Sequence, residues 1–575
     1  SFALPPMPKI RPRPVPSDLL AALAETGFTP LEARLYAARG IRSRTELEHE
    51  FANLLPFHTL KHIGPVAARL ADAIAANERI LIVGDYDADG ATSTTLMILA
   101  LREMGAQVQY LVPDRFKYGY GLTPAIADLA FERYAPDLLI TVDNGISSHE
   151  GVERAQALGM QVIITDHHLT TKATPNAEAV VNPNQLGCDF PSKALAGVGV
   201  AFYVLANLSS QRKKQGKPAA NLTQYLDLVA LGTYADVASL DYNNRILVDA
   251  GLKRIQQNLC RPGISALLDL AGREPAQLKA QDLGFVLGPR INAAGRMETM
   301  DIGIECLLAA DMQSAYALAR QLNALNQERR QVEGQIKQDA LAELEKLQLD
   351  QSDLPHALIM FEEHWHQGVI GIVAGRLKEQ FHRPAIVFAA DEDGEHIKGS
   401  ARSIEGIHIR DTIELVAEQY PHLVSHFGGH AAAAGLTIKK AHFAEFKQVF
   451  EQIIAQMDAD LFHAVLWTDG ELPQEAFHLH TVDLLQHLAP WGQKFPQPVF
   501  EGRFKVVDFR WLKDTHLKLR LALDNGQVVD AIAFGAKDKF EFNPMRDDVR
   551  LVYELERNVF NGNVSLQLQI VHLEQ

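Results

Sequence analysis

Aspartate and histidine residues gather in three short segments in the N-terminal half of the chain. The segments are Asp85–Gly90, which reads Asp-Tyr-Asp-Ala-Asp-Gly, then Asp143–Gly145 and Asp166–His168. Carboxylates that lie close together repel one another and raise each other's pKa, so they need cations to neutralise them. Two divalent ions about 3.5 to 4 Å apart would do this and could activate water for displacement at phosphorus. The pattern therefore predicts a two-metal hydrolase of phosphate esters.

Each segment alone has a simpler interpretation. The Asp85–Gly90 pattern is often a Ca²⁺-binding loop, but the Glu that completes an EF-hand loop is missing. Asp143–Gly145 alone would most often be a turn, and His167 and His168 would most often make local hydrogen bonds. What favours a shared site is that all three segments fall at the ends of predicted strands.

The elements that position these segments alternate between strands and helices. The expected strands are 79–85, 107–112, 137–142 and 161–165, and helical patterns occupy 91–104, 123–134 and 148–158. This alternation predicts βαβ units and a parallel sheet. Ligands of such sheets bind outside the carboxyl ends of the strands, so the three segments should meet at one edge. Asp236, after the apolar helix 224–231, is expected to be a fourth contributor.

The rest of the chain predicts further domains. Residues 1–60 are expected to form a loose arm and a helical lead-in, ahead of the catalytic domain at 61–310. A long helix is predicted at 311–350 and a second α/β domain at 351–462. Five short strand patterns in 463–575 predict a small barrel, with Asn525-Gly526 and Asn561-Gly562 in primed hairpin turns. The expected fold class is therefore α/β with a C-terminal β-barrel.

Composition limits the possible functions only weakly. The net charge of −16 argues against nucleic-acid binding, but carboxylates that hold metals contribute to it. Three scattered cysteines without a Cys-x-x-Cys pair indicate a reducing compartment, and we expect the cytoplasm. The apolar runs are far shorter than the roughly 20 residues that span a bilayer, so no membrane association is expected.

The predicted barrel combines basic and aromatic residues in a way that suits single-stranded nucleic acid. Bases stack on aromatic rings and basic side chains neutralise phosphates in such barrels. The alternative is that half of the aromatic residues form the core. The residues concerned are Lys505, Arg510, Lys513, Lys518, Arg520, Phe504, Phe509 and Trp511.

The segments around the predicted site resemble the four motifs of the DHH phosphoesterase superfamily. Longer segments resemble one family within it, the RecJ single-strand-specific exonucleases, and the similarity covers nearly the whole chain from about residue 30. The longer segments are 114–122, 195–202, 288–296, 364–371, 399–403, 427–430 and 490–496. A local departure is Val237–Leu240, where a bulkier stretch with proline is expected, so the packing there is open.

The resemblance implies a parallel-sheet DHH domain, a DHHA1-like domain and an OB-fold-like barrel. It also implies a 5′-to-3′ exonuclease that degrades single-stranded DNA to 5′-mononucleotides with Mn²⁺ or Mg²⁺, in repair and recombination. Its implied partner is a single-stranded-DNA-binding protein. The implied metal ligands are Asp85, Asp87, Asp89, Asp143, His167 and Asp236, with Asp143 as the bridge. Asp87, Asp143 and His168 are expected to take part in catalysis, and the expected substrate contacts are Arg115, Arg290, Arg296, Ser400, Arg402 and His430.

Two other functions remain open on sequence grounds. The first is a DHH phosphoesterase for small substrates such as pyrophosphate, a short oligoribonucleotide or a cyclic dinucleotide. Such relatives usually lack a long C-terminal barrel, which this chain is predicted to have. The second is a catalytically inactive DHH scaffold, but such proteins lose the acidic ligands that are all present here.

Overall fold

The computed structural model describes residues 6–346 and 354–575. Its N-terminal segment, residues 6–42, forms regular secondary structure. It contains β1 (Lys9–Pro12), α1 (Ser17–Glu25) and α2 (Pro30–Ala38). Strand β1 pairs in parallel with a strand at 465–468, so the expectation of a loose arm is wrong for these residues. Helix α2 begins at a capping box in which Thr29 and Glu32 bond each other's backbone, with Pro30 in the first turn.

The predicted parallel sheet is confirmed, with one strand more than expected. Its strands lie in the order β3-β2-β4-β5-β6, and every pair is parallel. The three-residue β6 has too short a pattern to be recognised. The elements are α3 (Ile63–Ala75), β2 (Arg79–Val83), α4 (Ala88–Glu103), β3 (Gln107–Leu111), α5 (Arg115–Tyr118), α6 (Pro124–Tyr134), β4 (Leu138–Thr141), α7 (His149–Ala157), β5 (Gln161–Thr165) and β6 (Ala179–Val181).

Helices follow the sheet. They are α8 (Gly197–Lys214), α9 (Leu226–Ala235), α10 (Tyr242–Gln256), α11 (Pro262–Leu270), α12 (Ala280–Asp282), α13 (Gly288–Met297), α14 (Asp301–Leu308) and α15 (Met312–Lys346). A π-helical turn at Leu283–Leu287 leads into α13. The long helix predicted at 311–350 is confirmed up to Lys346, and 347–350 lie outside the described residues. No helix in the described part of the chain is long and apolar enough to cross a membrane.

A second α/β region follows the long helix, as predicted. Its sheet has the order β10-β11-β9-β8-β7, in which only β7 and β8 are parallel neighbours. The elements are β7 (Leu358–Phe361), α16 (Ile370–Phe381), β8 (Ala385–Ala390), β9 (His396–Arg402), α17 (Ile409–Gln419), β10 (His426–Gly429), β11 (Ala433–Lys439) and α18 (Phe443–Ala455). Strand β12 (Val465–Thr468), which pairs with β1, and helix α19 (Leu479–His487) follow this region.

The five predicted C-terminal strands form a closed barrel in the order β13-β14-β15-β17-β16. Its elements are β13 (Phe500–Leu512), β14 (His516–Ala522), β15 (Val528–Ala533), α20 (Ala536–Lys539), β16 (Asp548–Phe560) and β17 (Asn563–Glu574). Asn561 and Gly562 both have positive φ, as a primed hairpin turn requires. In the other pair only Gly526 does, so the prediction of a primed turn at Asn525-Gly526 is wrong.

Contacts divide the described residues into two units. We call Ser43–Arg329 with Ala489–Gln497 the N-terminal unit, and the remaining described residues the C-terminal unit. The parallel sheet belongs to the N-terminal unit, and the second α/β region and the barrel belong to the C-terminal unit. Segment 6–42 also belongs to the C-terminal unit, where the Arg39 guanidinium bonds both carboxylate oxygens of Asp469 at 2.9 and 3.0 Å. The predicted domain bounds at 60, 310 and 462 stay predictions.

Candidate active site

The first acidic segment follows β2 and opens helix α4. Asp87 is the N-cap residue, and its carboxylate accepts a hydrogen bond from the backbone N–H three residues on, at 2.7 Å. Asp89 is only 1% exposed, and its carboxylate accepts bonds at 2.8 and 2.9 Å from the first two N–H groups of α8. Asp85 lies between the strand and the cap, also buried. The strand end and two helix starts therefore fix all three carboxylates.

Asp143 lies directly beyond β4, in a conformation that few residues adopt. Its φ is +60°, which is uncommon outside glycine and costs backbone energy. Its Oδ1 lies 2.8 Å from Nε2 of His167. A Cβ placed on Gly197 would come within 2.7 Å of the same oxygen, so only glycine lets α8 begin this close. Asp143 is 1% exposed.

His167 brings the ends of three elements together. Besides Asp143, its Nε2 lies 3.5 Å from Oδ2 of Asp89 and 4.0 Å from Oδ2 of Asp236. Asp236 immediately follows α9, a helix that runs four residues beyond the predicted 224–231. The structure thus brings together all six residues expected to bind metal.

Two groups among these side chains could each hold a metal ion. Asp89, His167 and Asp236 offer ligand atoms within 4.8 Å of one another, and so do Asp85, Asp87 and Asp143. Among the described residues, nothing forms a hydrogen bond with the buried Oδ2 of Asp143. A buried carboxylate oxygen without a donor is costly unless a cation takes that place. The residues therefore fit two divalent ions, and carboxylates with an imidazole suit Mn²⁺ or Mg²⁺.

The electrostatics of the cluster also favour cations. Burial, followed by the charges of neighbouring aspartates, raises the pKa of Asp85, Asp143 and Asp236 well above the usual range. The same causes raise the pKa of Asp89 to about 7. Burial, with the nearby charge of His168, lowers the pKa of His167 to about 4, so its imidazole is neutral and able to bind metal.

Asp166 and His168 form a second pair beside the cluster. Burial works to raise the pKa of Asp166, but the hydrogen bond and charge of His168 outweigh it and lower that pKa. Burial works to lower the pKa of His168, and the bond to Asp166 instead raises it to about 9. The two side chains lie 2.6 Å apart, through Nδ1 of His168. Asp166 is not among the expected site residues, although its place beside the paired histidines is a usable signal.

Three arginines expected to contact substrate lie in the N-terminal unit. Arg115, in α5, lies over the ring of Tyr86 at 4.6 Å. Arg296 is in the last turn of α13, a helix held against the first acidic segment by a 2.7 Å bond from the backbone N–H of Ala88 to the side chain of Asn292. The Arg290 side chain donates to Val286 O and to the Asn323 side chain. Arg115 and Arg296 thus lie on segments next to the cluster, whereas Arg290 bonds neighbouring helices.

The C-terminal unit places Ser400 and Arg402 on one face of β9. A Cβ built on Gly371, at the start of α16, would lie 2.9 Å from Nη2 of Arg402 and 3.4 Å from Oγ of Ser400. An arginine, a hydroxyl and the positive end of a helix dipole therefore converge, as they do in anion sites. We call Gly371, Ser400 and Arg402 the β9 pocket. His430 follows β10, and its backbone N–H donates to Ala433 O at 2.9 Å.

Three family descriptions match successive parts of the chain. Residues 79–233 match the DHH family N-terminal domain, 355–456 the DHHA1 domain and 468–572 the RecJ OB domain. The chain is 48% identical to the single-stranded-DNA-specific exonuclease RecJ of Dickeya dadantii, over 94% of this chain and 95% of that protein. It is 46% identical to the Escherichia coli protein of the same description, over 94% and 95%.

The chain belongs to the RecJ family.

Solved RecJ structures agree with the fold and with the metals that the cluster fits. The RecJ of Thermus thermophilus in complex with Mn²⁺ superposes with a TM-score of 0.82 at 31% identity, covering 99% of this chain and 79% of that one. The same protein with Mg²⁺ gives a TM-score of 0.76 at 29% identity, covering 99% and 78%. The prediction of a DHH fold with a divalent-metal centre is therefore confirmed.

The RecJ OB barrel divides the predicted basic and aromatic residues into two groups. Phe504 is 6% exposed and packs on Tyr553, so its assignment to the binding surface is wrong and it belongs to the core. Phe509 and Trp511 are 39% and 38% exposed. Lys505 and Arg520 form ion pairs with Asp548 and Asp530 at 2.6 and 3.7 Å. The exposed aromatic pair is therefore the better candidate for base stacking.

Proposed function

We propose that this chain is a 5′-to-3′ exonuclease that hydrolyses single-stranded DNA to 5′-mononucleotides with two divalent metal ions. The observation that carries the proposal is the environment of the Asp143 carboxylate. Its Oδ1 lies 2.8 Å from Nε2 of His167, and its Oδ2 has no hydrogen-bond partner among the described residues. One carboxylate between two cations relieves their repulsion. The curated relatives are described as single-stranded-DNA-specific exonucleases, which supports the substrate class.

In this proposal the chain's own residues hold and orient the reacting groups. Asp89, His167 and Asp236 would hold one ion, Asp85 and Asp87 would hold the other, and Asp143 would contribute to both. Bound ions of this kind activate water and stabilise charge at phosphorus during in-line displacement. Because Asp166 takes Nδ1 of His168, the other ring nitrogen is left to donate a hydrogen bond to a phosphate oxygen.

The β9 pocket supports the proposed polarity and product. Arg402 supplies a guanidinium of the kind that binds phosphate, Ser400 adds a donor, and the start of α16 adds its helix dipole. We propose that the pocket takes the terminal 5′-phosphate of the strand, with His430 as a further phosphate contact. Cleavage of the next phosphodiester then releases one nucleotide at a time.

The barrel and the intact ligand set weigh against the two alternative functions. A phosphoesterase for small substrates has little need of a closed five-stranded barrel with exposed aromatic residues. A scaffold without activity has no need to retain six buried or half-buried candidate ligands, one of which is the strained Asp143.

We further propose that the protein acts in the cytoplasm, in DNA repair and recombination, with a single-stranded-DNA-binding protein as partner. The three cysteines are free, which fits a reducing compartment. Degradation of single strands coated with such a protein, compared with bare strands, tests the partnership. A rate that coating only lowers would contradict it.

The deciding experiment is degradation of end-labelled substrates with Mn²⁺ present. Single-stranded DNA with a 5′ label should release labelled mononucleotide at once, and a 3′ label should appear only in the last products. Blunt duplex DNA should resist. Release of 3′-labelled mononucleotide first would overturn the polarity, and preferred hydrolysis of pyrophosphate or a cyclic dinucleotide would favour the small-substrate alternative.

A further inference from the structure

Tyr120 lies between two glycines whose backbone turns its side chain toward the acidic cluster. Gly119 and Gly121 have φ values of +74° and +82°, in the region that favours glycine. They lie in the loop between α5 and α6, which follows Arg115 along the chain. Two left-handed glycines around one tyrosine give the loop a shape that other residues would strain.

The phenol of Tyr120 contacts the ends of two strands. Its O–H donates to the backbone carbonyl of Asp143 at 3.2 Å, and its oxygen lies 3.1 Å from Nδ1 of His168. Its ring makes edge contacts with His168 and Tyr86, at centroid distances of 5.8 and 6.4 Å. One side chain therefore contacts the residues that follow β4 and β5.

Each polar contact adds to the bonds that already hold its group, which are His167 for Asp143 and Asp166 for His168. The backbone of Asp143 is in the strained left-handed region, and the bond to its carbonyl stabilises the peptide from which the carboxylate projects. Nδ1 of His168 already lies 2.6 Å from Asp166, so its hydrogen points there and can be shared with the phenol oxygen. The phenol thereby adds to the restraint that Asp166 places on the rotation of the imidazole and on the direction of its other nitrogen.

We propose that Tyr120 is a positioning residue of the active site, which holds Asp143 and the His168 imidazole in a fixed orientation relative to each other. The inference rests on the proposed roles of those two residues. Tyr120 acts through them, so its hydroxyl affects metal binding and turnover rather than the affinity for DNA. At the net contribution that is typical of one intramolecular hydrogen bond, loss of the hydroxyl predicts a change of about 3- to 10-fold.

The test compares Tyr120→Phe with Tyr110→Phe in the full-length protein. Tyr110 donates to Glu305 at 2.6 Å, so its variant loses a phenol bond in the same unit without touching Asp143 or His168. Two quantities are measured: Mn²⁺ binding without DNA, from the electron paramagnetic resonance signal of free Mn²⁺, and kcat and KM on single-stranded DNA. We expect Tyr120→Phe to weaken Mn²⁺ binding and lower kcat about 3- to 10-fold, with KM within twofold and Tyr110→Phe like wild type.

Wild-type Mn²⁺ binding and kcat in Tyr120→Phe would overturn the inference, and so would a change confined to KM, which would make Tyr120 a substrate contact. Asp143→Ala separates this failure from that of the proposed function. If Asp143→Ala is inactive while Tyr120→Phe is normal, only the inference fails. If Asp143→Ala is active, the proposed function itself fails.

Discussion

The two units of the molecule build their sites in opposite ways. In the N-terminal unit, the residues at the carboxyl ends of β2, β4 and β5 converge on a buried cluster held by backbone bonds and strain. In the C-terminal unit, the β9 pocket uses the interior of a strand and the start of a helix, and the barrel offers half-exposed aromatic rings. Buried carboxylates tolerate little change, whereas the loss of one exposed residue among several proposed to contact DNA should have a smaller effect. Substitutions in the two units should therefore differ in the size of their effect on activity and in the step of the reaction that they affect.

The largest effect is expected at Asp143. Asp143→Ala should abolish hydrolysis, because it removes the carboxylate that we propose contacts both ions, while the protein stays folded. The measurement is the rate on single-stranded DNA with Mn²⁺. The matched control is Asp137→Ala, just before the other end of β4, where the carboxylate is about half exposed beside Arg79. Near-normal activity of Asp143→Ala would remove the two-metal account.

A smaller effect is expected at Arg402. Charge-assisted bonds are worth about 1.5 to 3 kcal/mol, so Arg402→Ala should slow turnover roughly 10- to 100-fold at low substrate. The defect should shrink when the strand carries a 5′-hydroxyl, since the lost contact is then absent in both proteins. Arg376→Ala removes an exposed arginine of α16 that pairs with Glu333 and is the control. An unchanged rate on 5′-phosphorylated strands would rule out Arg402 as the residue that binds the terminal 5′-phosphate.

The barrel should show a binding effect alone. Trp511→Ala should weaken affinity for single-stranded DNA about fivefold, at the low end of base stacking, with kcat at saturation unchanged. Trp467→Ala is the control, because Trp467 is 40% exposed against 38% for Trp511 but lies on β12, outside the barrel. Fluorescence titration with labelled oligonucleotides measures the affinity of both variants for single-stranded DNA. Equal losses in the two variants would remove the stacking role.

The smallest effect concerns stability at Val237, directly after Asp236. This β-branched residue has a φ of +57° at the C-terminus of α9, where glycine is usual, and it is 64% exposed. Val237→Gly should stabilise the N-terminal unit by about 1 kcal/mol, the strain released less the entropy of glycine. Scanning calorimetry should show a slightly higher Tm, whereas Val528→Gly, in an ordinary strand, should lower it. A lower Tm for Val237→Gly would show that the valine packs usefully.

The sequence predicted the metal centre far better than the rest of the site. Strand ends in a parallel sheet meet at one edge whatever the helices between them do, so Asp85, Asp143 and His167 could be placed together. The structure also shows how the chain packs at Val237–Leu240, where the sequence departs from the family pattern. Leu240 is buried, and its backbone N–H donates to Gln493 O at 2.8 Å.

The missed features depend on contacts between distant segments. No pattern in the sequence around Tyr120 shows that its phenol contacts Asp143, although the glycines on either side indicate an unusual backbone conformation there. Gly371 and the pairing of β1 with β12 join segments far apart in sequence, which no local pattern reveals. Phe504 was misassigned because an alternating strand does not show which face is buried.

The most direct test of the account is the magnetic coupling between bound Mn²⁺ ions. Ions about 3.5 to 4 Å apart and sharing a carboxylate interact, so electron paramagnetic resonance of the loaded wild-type protein should show a coupled pair. Asp143→Ala should lose the coupled signal. A wild-type spectrum from isolated ions, or a coupled pair that persists in Asp143→Ala, would contradict the claim that Asp143 joins two metals in one centre.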